Sequence, residues 1–82
     1  MLKCDGLDDA IIGFTERCGD PMLIAYDCEK IIEIFMQRDG MTEEEATEFL
    51  IYNVTQAWMG EGTPIFVWPK PIDEIEEMVL EE

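Results

Sequence analysis

The side chains able to do acid–base, nucleophilic or metal chemistry are few in kind: three cysteines, twenty carboxylates and no histidine. Cys4, Cys18 and Cys28 form no Cys-x-x-Cys pair, and their spacing matches no common zinc module. Three thiolates and a carboxylate would make a metal site, but the stronger reading takes the cysteines as small apolar residues, buried or half-buried. Without histidine the chain lacks the usual general base, the commonest metal ligand and the usual partner of a catalytic thiolate. An odd cysteine count fits a reducing cytoplasm. The expectation is a protein that is not an enzyme and takes no cofactor and no metal.

Glu43-Glu44-Glu45 is the densest carboxylate cluster. Consecutive helical residues point about 100° apart, so the three do not converge on one ion. Thr42 before them and Glu45 three residues on instead make a capping box. Gly60-Glu61-Gly62-Thr63-Pro64 has two glycines but no helix after it and no lysine. It fails both the dinucleotide fingerprint and the phosphate loop, and reads as a turn feeding a strand.

Charge is the dominant chemical property. Twenty acidic residues face five basic ones, for a formal net charge of −15, and the surplus is concentrated after residue 41. A binder that grips nucleic-acid phosphates needs clustered Lys and Arg, so direct nucleic-acid contact is excluded as an expectation. Two readings remain open. The acidic surface either meets a basic protein surface, such as a nucleic-acid groove, or is a solvated face that keeps a small protein soluble.

The elements that position these residues follow from length and periodicity. Eighty-two residues, 48% apolar, make a single small domain with one core. Such a chain buries only about 60–65% of its unfolded surface. No apolar run approaches the ~18 residues of a membrane span, and the N-terminus turns acidic too soon for a signal peptide. Neither a membrane nor secretion is expected.

Leu7, Ala10, Ile11, Phe14 and Cys18 share one helical face, which predicts a first helix over 5–18, weakened at Gly13. Met22–Tyr26 predicts a short buried strand. Asp27 then caps a helix over 28–38 with Cys28, Ile31, Ile32 and Phe35 as its core stripe. Ile34 and Met36 widen that stripe and point either to cover on two sides or to a partner, a second copy included. Gly40 stops the helix.

The helix over 43–58 has the clearest period: Ala46, Phe49, Leu50, Asn53, Val54, Ala57 and Trp58. Asn53, on its apolar stripe, either bonds the 60–64 turn or shares a small polar site with Asp27 and Tyr26. Residues 65–68 form a second strand, and 72–80 a last helix with Ile72, Ile75, Met78 and Val79 on one side. Residues 73–82 are an acidic tail, helical or frayed. Tyr26, Trp58, Phe66 and Trp68 are the aromatics expected to decide packing.

The element order is thus α-β-α-α-β-α, an α+β fold. Its two strands are expected to pair antiparallel as a ribbon on a helical hairpin; an all-helical first half is the competing arrangement.

One stretch resembles small proteins of tailed bacteriophages and prophages. It comprises Tyr26-Asp27, Lys30-Ile31-Ile32, Asp39-Gly40-Met41-Thr42-Glu43-Glu44-Glu45-Ala46, Tyr52-Asn53, Ala57-Trp58 and Gly60-Glu61-Gly62-Thr63-Pro64-Ile65-Phe66. The likeness covers about residues 22–67. It implies no catalytic residue. It does imply a cytoplasmic setting in an infected bacterium, and a class of small acidic proteins that bind host machinery, inhibitors of CRISPR nucleases among them.

The expected function is therefore a non-enzymatic interaction protein, with inhibition of a host defence or nucleic-acid-processing complex as the role the resemblance implies. The residues expected at its interface are Glu43, Glu44, Glu48, Glu61, Asp73, Glu74, Glu76 and Glu77, with Trp68 as an anchor. The alternative is a phage accessory or structural protein acting by self-association as a homo-oligomer.

Overall fold

The computed structural model describes residues 1–80. Three strands and three helices form in the order β1 (Ile11–Thr15), β2 (Leu23–Asp27), α1 (Cys28–Asp39), α2 (Glu43–Phe49), β3 (Ile65–Val67) and α3 (Ile72–Leu80). A 3-10 turn, Asp8–Ala10, leads into β1, and a π-helical turn, Leu50–Thr55, extends α2. The fold is α+β, with the second-half elements close to their expected places. Glu81 and Glu82 of the acidic tail lie outside the described residues.

The first helix expected over 5–18 does not form. Its apolar spacing is genuine as far as Ile11: Leu7 and Ala10 are buried across the 3-10 turn, and Ile11 packs against the core. Beyond that the β-branched pair Ile11-Ile12 and the glycine favour extended chain. Gly13, at φ +152°, adjoins a bulge that leaves Ile12 outside the ladder with β2. Phe14 is exposed rather than buried.

The two-stranded antiparallel ribbon is also corrected. β2 is the middle of a three-stranded sheet, antiparallel to β1 and parallel to β3. Parallel pairing requires the chain to return to the start of the sheet after its two helices. Residues 56–64, without helix or strand of their own, make that return; nine residues span up to about 30 Å.

Asp27 ends β2 and caps α1 at once, its carboxylate accepting from the N–H groups of Glu29 (2.9 Å) and Lys30 (3.3 Å). Gly40, at φ +70°, ends α1. The Thr42–Glu45 capping box is complete. Thr42 Oγ1 accepts from the Glu45 N–H at 3.2 Å, and a Glu45 carboxylate oxygen accepts from the Thr42 N–H at 3.0 Å.

The expected helix over 43–58 stops three residues early. From Leu50 the winding is π-helical, and the Thr55 hydroxyl donates to the Ile51 carbonyl at 3.1 Å, as the Thr47 hydroxyl does to the Glu43 carbonyl within α2. The wider turn keeps Leu50 and Val54 on the core but rotates Asn53 out to solvent. Ala57 and Trp58 lie beyond the helix, and Trp58 is 75% exposed.

Paired residues share a sheet face. Ile11, Ile24, Tyr26 and Phe66 face inward onto Cys28, Ile31, Phe35, Ala46 and Leu50. Tyr26 and Phe66 stack with ring centroids 5.8 Å apart. On the outward face, Ile65 and Val67 remain exposed.

Candidate functional site: an acidic surface

The expected interface residues are all exposed, but they belong to separate elements. Glu43, Glu44 and Glu48 lie on α2, Glu61 in the return segment, Trp68 just after β3, and Asp73, Glu74, Glu76 and Glu77 on α3. α2 and α3 share no sizeable contact, so the carboxylates do not form one constellation. Glu45, next to the α2 group, is committed to the capping box. The Thr42 backbone N–H and hydroxyl hold its carboxyl below the usual glutamate range.

The bases are largely spent within the chain. Lys3 pairs with Asp8 at 3.2 Å, Arg17 with Asp20 at 3.4 Å, Arg38 with Asp39 at 3.2 Å and Lys70 with Glu74 at 3.9 Å. Lys30 alone has no ion pair among the described residues. Exposed pairs of this kind add little stability. Their consequence is electrostatic: the few positive charges are locally neutralised, and the remaining carboxylates set the field at the surface.

The cysteines divide by environment. Cys28 is fully buried at the start of α1, and its thiol is pushed up to about 11 by desolvation and the neighbouring Asp27 carboxylate. Cys4 is half-buried and also raised, chiefly by desolvation. Both are poor nucleophiles at neutral pH. Cys18 is exposed, which corrects the expectation that all three would be at least partly buried. Among the described residues, no three Cys, Asp or Glu side chains lie close enough to hold a metal ion.

The small polar site proposed for Asn53, Tyr26 and Asp27 is not assembled. The Tyr26 hydroxyl accepts from the Cys4 N–H, and Asp27 caps α1. Nor does Asn53 hold the 60–64 turn. Thr63 does: its hydroxyl accepts from the Met59 N–H at 2.8 Å and donates to the Gly60 carbonyl at 2.6 Å. A threonine after a Gly-x-Gly run was the available signal for that local bond.

Sequence reasoning missed the apolar residues that accompany the acids. On the α2 side Phe49, Tyr52 and Trp58 are exposed, with Glu48 alongside in a shallow groove that Phe49 and Tyr52 help to line. Trp68 is exposed, as an anchor would have to be. On α3, Ile72, Ile75, Met78 and Val79 are open to solvent. Ile34, by contrast, packs on the core, so of the two residues that suggested surplus apolar surface on α1 only Met36 stays exposed.

A cleft of about 380 Å³ lies between the N-terminal segment and the helices, with Lys3, Cys4, Phe35, Arg38, Phe49 and Asn53 in its walls. Its two bases are already paired with Asp8 and Asp39. Comparison of the chain with protein-family models, curated proteins and solved structures returns no match.

Proposed function

We propose that this protein is a non-enzymatic acidic interaction protein of phage or prophage origin. It works in the cytoplasm of an infected bacterium by occupying a basic surface on a host defence or nucleic-acid-processing complex. The observation that carries this reading is the distribution of charge. Four of the five bases are engaged by acids of the same chain, while the carboxylates of α2, the return segment and α3 other than Glu45 and Glu74 face solvent without an ion pair or cap. Such a surface repels nucleic acid and attracts the Lys- and Arg-rich grooves that bind it. The phage origin rests on the residue pattern of 22–67 alone. The high thiol pKa of Cys28 and the lack of histidine support a role without catalysis.

The test is a tagged pulldown from bacterial lysate at low and high salt, read by mass spectrometry. A nucleic-acid-handling complex recovered at low salt and lost at high salt is the expected result. Recovery that is unchanged by salt would refute the electrostatic reading.

A further inference from the structure

α3 is a nine-residue amphipathic helix that, among the described residues, packs extensively against no other element of the fold. Ile72, Ile75, Met78 and Val79 are 70%, 45%, 61% and 62% exposed. At about 100° per residue these four fall within one arc of the helix surface. Glu76 borders that arc on the Ile72 side and Glu74, with Lys70 at 3.9 Å, on the Met78 side, so one carboxylate stands at each edge of the apolar stripe. Ile72, Ile75 and Val79 line a shallow, almost wholly apolar groove with Glu76 at its edge.

A helix this short is marginal in water unless its apolar face is supported. Its electrostatics add to the need. The first turn holds Asp73 and Glu74, which suit the positive end of the dipole, but the last turn has no base, and Glu76 and Glu77 extend the acids toward the negative end. An outside surface that supplies both apolar contact and positive charge would relieve both deficits.

A second copy of this chain does not meet that description. It carries a net charge of −15, and four of its five bases are already paired. It offers no cluster of free cations to receive Glu74 and Glu76.

We infer that α3 is a docking helix whose Ile72–Ile75–Met78–Val79 stripe seats in an apolar groove of a partner protein, with Lys or Arg along the groove walls facing Glu74 and Glu76. This is helix-in-groove recognition, and it rests on the reading that the chain binds a basic protein surface. It places the specific contact on α3, with the acids of α2 contributing only to the long-range field.

The experiment places a photo-crosslinking benzoylphenylalanine at position 75 of the tagged full chain and, separately, at position 52 on the α2 side. Both are irradiated in bacterial lysate at low and high salt, and the crosslinked peptides are mapped. The expected result is a salt-labile adduct from position 75 whose partner peptide lines an apolar groove bearing Lys or Arg. Recovery of that partner should fall at least about tenfold in Ile75→Asp, and similarly in Glu74→Lys/Glu76→Lys. The thermal midpoint of each variant should stay near that of the parent, because α3 is not part of the core.

An adduct from position 52 alone overturns the docking role of α3 while leaving the acidic-binder reading intact. Two copies joined through position 75 overturn the assignment of a basic partner. An adduct at neither position, with no salt-labile capture by the parent chain, overturns both proposals.

Discussion

The phenol oxygen of Tyr26 accepts a hydrogen bond from the backbone N–H of Cys4 at 2.8 Å. Tyr26 is fully buried at the centre of the sheet, so this one bond ties the N-terminal segment to the middle strand. The segment is held at two further points. The Leu2 N–H donates to the Gly62 carbonyl at 3.1 Å, and Arg38 Nη1 donates to the Gly6 carbonyl at 2.9 Å. Tyr26→Phe keeps the ring and its stack on Phe66 but strands a partly buried donor. The expected loss is about 1–3 kcal/mol of unfolding free energy in urea titration, with the urea dependence unchanged.

Thiol labelling distinguishes the three cysteines. At neutral pH a maleimide should modify Cys18 in the folded protein and leave Cys28 untouched until the chain is unfolded. The raised pKa of Cys28 also has a consequence for stability. The fold favours the neutral thiol, so this contribution is complete below the unfolded value near 9 and is lost as pH rises toward about 11. The thermal midpoint of the parent should fall across that window more than that of Cys28→Ala. Equal slopes would assign the alkaline loss to other groups.

Thr42→Ala removes one half of the capping box and should cost about 1 kcal/mol. Glu45 titrates in the opposite sense to Cys28. Its carboxyl is held below the usual 4.5, so its contribution is present above that value and disappears as pH falls through the lowered one. Acid titration of stability should therefore show a component in the parent that Glu45→Ala lacks.

Gly6→Ala tests the anchoring of the N-terminal segment. Gly6 has φ +79°, and an added Cβ would stand 2.9 Å from Arg38 Nη1. The guanidinium is the end of a flexible side chain and can shift, at the cost of its bond to the Gly6 carbonyl. The backbone strain of a left-handed non-glycine residue remains, at about 1–2 kcal/mol. A melting temperature equal to that of the parent would show that the segment contributes nothing to the fold.

The features legible in the sequence are those decided locally. Asp27 as a cap, Gly40 as a stop, the Thr42–Glu45 box and the spans of β2, β3, α1 and α3 each depend on a few neighbouring residues. Residues 7–11 misled because a 3-10 turn also buries Leu7 and Ala10, three positions apart, before the chain extends at Ile11. The rotation of Asn53 out of its stripe follows the change from α- to π-helical winding at Leu50, which residue spacing does not announce. The direction of β3 depends on the path of residues 56–64, which carry no periodicity. For the candidate site, the exposure of the acids could be anticipated from their number and type. That the stripe of Ile72, Ile75, Met78 and Val79 would be left uncovered could not, because periodicity identifies a face without saying what meets it.

The parallel pairing of β2 with β3 brings Ala25 opposite Ile65 and Asp27 opposite Val67. The β1–β2 ladder, by contrast, joins strands separated only by residues 16–22. Assembly of the sheet therefore has an inherent order. The hairpin closes a small loop and forms early, while the third strand waits until both helices and the return segment exist as chain. During synthesis the hairpin and α1 must persist with one sheet edge unpaired. A chain ending before residue 65 would display that edge, so its protease sensitivity should exceed that of a chain that includes β3.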